Sequence, residues 1–174
     1  IYVPAGSPIE DPADLRGGRI GVPEYRMTAA IWARGILSEE HGVTPASVTW
    51  VQGGLEEPGR ISRDAVPPRG VEVTEAPPGR TLSEMVGDGS IDALISARRP
   101  SSFDAGRARR LYPDPWSRAR EAFSRTRIFP IMHTVVLRDD VVRRHPWVPQ
   151  SLLKAFEAAK RLTMADLTEE SALS

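Results

Sequence analysis

The sequence predicts an α/β protein, and two patterns near its start carry that prediction. The first is a strand that leads directly into a loop and a helix. Arg19 to Val22 is stopped by Pro23, and Thr28 to Glu40 then has apolar residues at helical spacing. Gly42 is expected to end this helix in a left-handed cap position. The second is another strand, Val48 to Gln52, because two strands separated by one helix usually form a parallel pair with a right-handed crossover. We therefore expect a mixed sheet with helices on both faces.

The same alternation continues through the middle of the chain. The proline- and glycine-rich stretch Glu56 to Pro78 predicts a long loop, with an edge strand at Gly70 to Glu75. Thr81 to Asp88 predicts a helix, because its first residue and Glu84 have the spacing of a capping box. A further strand is expected at Ile91 to Ser96.

The second half of the chain has a looser pattern. Residues 98–127 are rich in arginine and proline, with a helix predicted near Trp116 to Ser124, and this composition is typical of a connection between lobes. Ile128 to Leu137 is apolar and β-branched and predicts another strand. The amphipathic segment Leu152 to Leu162 predicts a helix with its apolar side chains turned inward.

These patterns predict the domain organisation. We expect residues 1–97 to form most of one α/β lobe, and residues 98–174 to form a crossover and part of a second lobe with the C-terminal helix. Because the chain begins with Ile1 and ends just after a helix-like segment, we also expect it to be a piece of a longer protein. The remaining parts would then carry any secretion signal.

Composition and charge narrow the classes of partner. Lysine plus arginine and aspartate plus glutamate both number 23, so no long-range field favours nucleic acid. No apolar run approaches the roughly 20 residues that span a bilayer, so we expect no membrane insertion. Lysine occurs only at Lys154 and Lys160, and the abundant guanidinium groups suit planar carboxylates, although high-GC codon usage explains the same bias. The absence of cysteine excludes thiolate chemistry but leaves the compartment open.

Ligands of open α/β sheets bind at the carboxyl ends of strands, where helix amides can hold anions. After the first strand, Tyr25 is a candidate hydroxyl donor, and Thr28 with the amides that follow is a candidate carboxylate clasp. The alternative for Thr28 is that it only caps the helix. After the strand at Ile91, Arg98 is a candidate for binding a carboxylate, with a surface salt bridge as the alternative, and Ser101 is a further candidate for substrate binding.

The segment after the second strand, residues 53–60, combines glycines, acids and an arginine. Gly54 allows a ligand to approach the backbone closely. Glu56 and Glu57 can transfer protons or bind a pair of hydroxyl groups, although adjacent surface glutamates are often only solvated. Arg60 adds a guanidinium group to the same segment.

One histidine, His133, lies within an apolar run. Histidine transfers protons readily near neutral pH, but a lone histidine on an apolar strand is also commonly a structural core residue. No two histidines have the spacing of metal ligands, so we expect no metal site. No nucleotide-binding loop or nucleophile elbow occurs, and nucleotide binding and hydrolase chemistry therefore have no support.

Four of these segments together resemble the 4,5-dihydroxyphthalate decarboxylases. They are Gly21-Val22-Pro23-Glu24-Tyr25 with Met27-Thr28-Ala29-Ala30, Gly53-Gly54-Leu55-Glu56-Glu57-Pro58-Gly59-Arg60, Ile91-Asp92-Ala93-Leu94-Ile95-Ser96-Ala97, and Ile128 to Thr134. Asp14-Leu15-Arg16-Gly17 and Arg143 to Val148 are in addition similar to the type II periplasmic binding fold. The resemblance implies a bilobal Venus-flytrap sandwich, of which this chain would be the middle part.

The resemblance implies a reaction that needs no cofactor, in which 4,5-dihydroxyphthalate loses one carboxylate as carbon dioxide and gives protocatechuate. Arg60 or Arg98 would bind the remaining carboxylate, and Glu56 or Glu57 would act as a base near the para hydroxyl. His133 would donate the proton to the ring carbon, with Glu24 as the alternative donor.

A rival function is that of a solute-binding protein of an ABC-type transporter for an aromatic or other organic acid, because fold alone does not separate the two. The enzyme is expected in the cytoplasm, and the solute-binding protein in the periplasm or outside the cell. In both cases the expected partner is a small aromatic carboxylate. The sequence leaves the oligomeric state open, a homo-oligomer included.

Overall fold

The computed structural model describes residues 1–59 and 68–171, with side chains up to residue 167. The described chain forms two compact units, Ile1–Met132 and His133–Ser174. The sheet lies entirely in the first unit, and the second unit is helical. The lobe boundary expected between residues 97 and 98 stays a prediction.

The first unit contains a mixed sheet of six strands in the order β4-β3-β2-β5-β1-β6. The strands are β1 Tyr2–Pro4, β2 Arg19–Val22, β3 Thr49–Gln52, β4 Glu72–Glu75, β5 Ala93–Leu94 and β6 Ala108–Arg110. Strand β2 pairs in parallel with β3 and β5, and β3 pairs in parallel with β4. Strand β1 is antiparallel to both β5 and β6. The carboxyl ends of β2, β3, β4 and β5 therefore meet at one edge of the sheet.

The described helices are α1 Thr28–His41, α2 Leu82–Gly87, α3 Ser101–Asp104, α4 Pro115–Thr126, α5 Asp139–Arg144 and α6 Val148–Ser171. The first four belong to the first unit and the last two to the second. Helix α1 ends as expected at Gly42, whose φ of 65° is the left-handed conformation that glycine adopts without strain. Helix α2 begins with the predicted capping box, since Thr81 Oγ1 accepts from Glu84 N at 3.2 Å and Glu84 Oε2 accepts from Thr81 N at 3.0 Å.

The two faces of the sheet carry separate cores, because successive strand residues point to opposite faces. On one face Ile20 and Trp50 pack with Leu37 of α1. On the other face Val51 and Leu94 pack with α2 residues that include Leu82 and Met85. All of these side chains are buried, so the expected mixed sheet with helices on both faces is confirmed.

Two predictions from the apolar pattern of the second half were wrong. Residues 128–137 have no regular secondary structure, although a strand was expected there. Phe129 and Val136 are 77% and 83% exposed, and the six described strands pair only with one another, so no ladder holds this segment. Helix α6 exists and is longer than expected. Leu153 and Leu162 on its apolar side are 62% and 68% exposed rather than inward. Among the described helices of the second unit, only the short α5 packs against it.

Strands β1 and β6 were not expected from the sequence. Strand β1 has only three residues and ends in a proline, and β6 reads Ala-Arg-Arg, which lacks the β-branched and aromatic residues typical of strands. The position of β6 at the edge of the sheet explains its composition. Arg109 donates to the carbonyl oxygens of Ser7 at 3.1 Å and Ile9 at 2.6 Å, so an arginine rather than an apolar residue fixes this strand to the segment that follows β1. In the described residues no helix combines the length and the apolar character needed to cross a bilayer.

Gly53, the residue that follows β3, has no room for a side chain. A Cβ built there would lie 2.7 Å from Cβ of Ala76, an atom attached directly to the backbone, so the neighbouring strand would have to move. We expect Gly53→Ala to lower the free energy of unfolding by about 1–3 kcal/mol in urea denaturation. Gly6→Ala is the matched control, because a Cβ at Gly6 meets no atom within 4 Å. Equal stability of the two variants would contradict the close approach.

Candidate active site at the carboxyl ends of the parallel strands

The loops that follow β2, β3 and β5 meet at the carboxyl edge of the sheet and enclose a cleft of about 470 Å³. Its described lining residues are Pro23, Gly54, Leu55, Glu56, Glu57, Pro58, Gly59 and Arg98. This is the edge at which open α/β sheets bind ligands. Four of the residues that the sequence singled out, Gly54, Glu56, Glu57 and Arg98, therefore lie together.

The loop after β3 is attached to the beginning of α2. The carbonyl oxygens of Gly54 and Leu55 accept from the amides of Leu82 and Ser83 at 2.9 and 3.0 Å. Leu55 itself is buried among the residues that pack under α2. These contacts hold the backbone on either side of Gly54, so the glutamates that follow start from a fixed point.

Glu56 contacts another predicted site residue, Ser101. Glu56 Oε1 accepts from the Ser101 amide at 2.8 Å, and Glu56 Oε2 accepts from Ser101 Oγ at 2.7 Å. The contact joins the loop after β3 to the first residue of α3. The expectation that Glu56 is only solvated is therefore wrong, because both of its carboxylate oxygens have partners within the protein.

Glu57 and Arg98 are the open charges of the cleft. Both are exposed, and neither side chain forms a hydrogen bond or ion pair within the part of the chain that the structure describes. The surface salt bridge considered for Arg98 is absent there, whereas the adjacent Arg99 is paired with Asp104 at 2.9 Å. The Arg98 amide donates to Ser96 Oγ at 3.1 Å, which fixes its backbone but leaves its guanidinium group open to a ligand.

Tyr25 belongs to the core instead of the cleft lining. Its side chain is 5% exposed, and its ring stands edge-on to the Trp50 ring with the centroids 5.6 Å apart. The guanidinium group of Arg34 lies 3.8 Å from the Tyr25 ring centroid and donates to the Tyr25 carbonyl oxygen. Burial lowers the pKa of Arg34 from its usual value. Tyr25 therefore fixes the loop between β2 and α1.

The same loop carries Glu24 and Thr28. The Glu24 carbonyl oxygen accepts from the Met27 amide at 3.1 Å, and the residue is partly exposed. Thr28 is exposed and is the first residue of α1, so the interpretation of Thr28 as the helix cap is wrong. Met27 occupies the cap position and makes no side-chain bond there. The amides of Thr28 and Ala29 find no acceptor among the described residues, which leaves the start of α1 able to receive an anion.

Neither His133 nor Arg60 belongs to the described part of the first unit. His133 is the first residue of the second unit, is exposed, and lies in the segment without regular structure, so it is not a buried core histidine. Arg60 lies outside the described residues. Its candidacy for the substrate carboxylate stays a prediction, whereas Arg98 lines the described cleft.

Sequence reasoning missed three residues that organise the site. Gln52, at the end of β3, is 5% exposed and accepts from the Tyr25 amide at 2.9 Å through Oε1. Ser83 and Ser102 are buried, and the Ser102 amide donates to Ser83 Oγ at 3.0 Å beneath the Glu56 contact. A polar amide at the end of an apolar strand was a usable signal for Gln52. The serines carry no such signal, because their contacts join distant segments.

Residues 1–59 and 68–171 contain no group of three or more His, Asp or Glu side chains that is arranged to hold a metal ion. Among its described lining residues the cleft combines an open guanidinium group and an open carboxylate. A guanidinium group binds a carboxylate through two parallel hydrogen bonds, and a nearby carboxylate can accept a proton from a hydroxyl group. The site is therefore suited to a small molecule that carries both groups.

Comparisons with known proteins show which sequences the chain is similar to. No protein-family model matches the sequence. A 4,5-dihydroxyphthalate decarboxylase of Comamonas testosteroni is 45% identical over 175 residues, which cover 99% of this chain and 53% of the relative. A protein of the same name from Pseudomonas putida is 45% identical over 124 residues, which cover 70% of this chain and 48% of the relative.

Fold and site together define an α/β protein with a cleft at the carboxyl ends of parallel strands. By sequence, the chain is similar to 4,5-dihydroxyphthalate decarboxylases of two bacteria. It spans about half the length of the curated relatives that it matches.

Proposed function

We propose that the protein decarboxylates 4,5-dihydroxyphthalate to protocatechuate and carbon dioxide. The observation that carries this proposal is the 45% identity to a protein named for that substrate, which extends over 99% of the chain. The open charges of the cleft support it, because Arg98 and Glu57 match the carboxylate and the hydroxyl groups of such a substrate.

The proposed reaction breaks one bond between the ring and a carboxylate and forms one bond between the ring carbon and a proton. Arg98 binds the carboxylate that stays, and Glu57 accepts a hydrogen bond or proton from the para hydroxyl, so that electron density moves into the ring. His133, or Glu24 as the alternative, supplies the proton to the carbon that bears the leaving carboxylate. The bonding electrons of the departing carboxylate remain on the ring, and carbon dioxide leaves.

We also propose that the first unit forms part of one lobe of a bilobal, type II periplasmic-binding-protein-like fold. Its mixed sheet, with parallel strands that present a cleft at their carboxyl ends, supports this assignment. In such a fold the remaining wall of the site would come from the other lobe. Closure of the lobes would exclude water from the reacting carboxylate.

The proposal is tested by turnover of 4,5-dihydroxyphthalate by the full-length protein, measured as released carbon dioxide and as protocatechuate. We expect one mole of each product per mole of substrate consumed. Phthalate is the matched control: it has both carboxylates but no hydroxyl group, so it should compete with the substrate without being decarboxylated. Saturable binding of 4,5-dihydroxyphthalate without turnover would overturn the enzyme assignment and favour a solute-binding protein.

A further inference from the structure

The adjacent glutamates of the cleft, Glu56 and Glu57, differ in their chemical situation. Both carboxylate oxygens of Glu56 accept hydrogen bonds from Ser101, at 2.8 Å from the amide and at 2.7 Å from the hydroxyl. Glu57 lines the same cleft, and its carboxylate has no partner among the described residues. Only Glu57 therefore offers a substrate a carboxylate that is not already engaged.

We propose that Glu56 is a positioning residue that holds Arg98 in place, and that Glu57 is the one of these two glutamates that contacts the substrate. This inference rests on the proposed decarboxylase function, since it divides the roles around the same ligand. It resolves an alternative that the sequence leaves open, in which either glutamate is the base.

The loop that carries Glu56 is held by hydrogen bonds and by packing. The two residues before it are held by their carbonyl oxygens, which accept from the amides of Leu82 and Ser83 in the first turn of α2. Leu55 is also 4% exposed and packs in the core beneath α2. A rotation of the Glu56 side chain away from Ser101 would leave the Ser101 amide without this acceptor, which opposes such a movement.

Arg98 lies in a short segment whose two ends are held by hydrogen bonds. On one side the Ile95 amide donates to the Gly21 carbonyl oxygen at 2.9 Å, which ties the end of β5 to β2. On the other side Ser101 is held by Glu56, three residues beyond Arg98. Pro100, between them, is buried and restricts the backbone. Loss of the Glu56 contact would remove two hydrogen bonds from one of the two ends that place the guanidinium group.

Buried serines continue the contact into the protein. Ser101 Oγ lies 3.0 Å from Ser83 Oγ, and Ser83 Oγ accepts from the Ser102 amide at 3.0 Å. Ser83 is 1% exposed and Ser102 is fully buried. A protonated carboxyl group has fewer acceptor sites than a carboxylate, so Glu56 would have to give up part of this arrangement to act as a base. Glu57 has no such constraint.

The test is a double-mutant cycle on the full-length protein, with kcat and KM measured for 4,5-dihydroxyphthalate. Glu56→Ala and Glu56→Gln are made singly and together with Arg98→Ala. Asp114→Ala is the matched control. Asp114 likewise accepts from both the amide and the hydroxyl of one serine, Ser117, at 3.1 and 2.6 Å. It caps α4, however, and does not line the cleft.

We expect Glu56→Ala to raise KM by about 10- to 100-fold, because the guanidinium group is misplaced. Glu56→Gln should recover most of that loss, since its amide can accept from one Ser101 group and donate to the other. In the Arg98→Ala background, Glu56→Ala should cost no more than about twofold, because residues that act through one another are not additive. Asp114→Ala should leave KM unchanged.

The pH profile separates the two glutamates. We expect Glu57→Gln to remove a limb of the kcat/KM profile and Glu56→Gln to leave its shape intact. Additive losses for Glu56→Ala and Arg98→Ala, or a changed profile for Glu56→Gln, would overturn the positioning role. If the full-length protein binds the substrate without turnover, the proposed function fails, and the same cycle measured as Kd by calorimetry still decides the role of Glu56. Absence of binding would overturn both.

Discussion

Replacing Arg98 by alanine is expected to raise KM for 4,5-dihydroxyphthalate by about 100-fold. Its guanidinium group is exposed, lines the cleft and has no carboxylate partner in the described ranges. Two charge-assisted hydrogen bonds to a ligand carboxylate contribute about 1.5 kcal/mol or more each, and about 1.4 kcal/mol corresponds to a tenfold change in affinity. Steady-state kinetics of the full-length protein measure the change.

The neighbouring residue provides the control for this effect. Arg99 is also exposed, but it is paired with Asp104 at 2.9 Å, so Arg99→Ala removes the same charge without removing a cleft residue. We expect Arg99→Ala to leave KM within about twofold of the parent, as is usual for surface substitutions. Arg98→Lys should recover only part of the loss, because an ammonium group does not form the bidentate pair. Equal KM values for the two alanine variants would refute the assigned role of Arg98.

His133→Ala is expected to lower kcat by about 10²- to 10⁴-fold, the range for loss of a general acid. The side chain is exposed in the described structure. Added imidazole should restore part of the activity if only the proton donor is missing. Rapid measurement of carbon dioxide release checks each result.

The control for His133 is His145→Ala. His145 also lies in the second unit, and its ring stands edge-on to the Trp147 ring with the centroids 6.2 Å apart. Loss of that contact affects local packing without removing a proposed proton donor, so we expect kcat to be retained. If His133→Ala keeps its activity while Glu24→Gln loses it, the proton donor is the glutamate and the assignment to His133 is wrong.

The prediction of the fold succeeded where the determining signals are local. Strand β2, helix α1 and the Gly42 cap follow from patterns within a few residues of each other, and the structure has them where they were expected. The capping box of α2 is equally local. The apolar segment 128–137 failed because an apolar, β-branched run becomes a strand only when a neighbouring strand supplies hydrogen bonds.

For the candidate site, too, prediction succeeded where the signals are local and failed where distant residues decide. The sequence placed Glu56, Glu57 and Arg98 after strands, and the rule for parallel sheets predicted that strand ends meet at one edge. It did not distinguish the two glutamates, because both are charged residues in the same loop. The distinction depends on Ser101, which lies 45 positions from Glu56 along the chain.

The sequence by itself determined the α/β class and the edge of the sheet at which ligands are expected, because alternation, caps and motifs are properties of contiguous residues. Only the tertiary structure decided which charges remain open. Glu56 is occupied by Ser101, Tyr25 is buried against Trp50, and Arg98 is left without a partner among the described residues. These outcomes depend on hydrogen bonds and packing between distant segments, which form only once the sheet has brought the loops together.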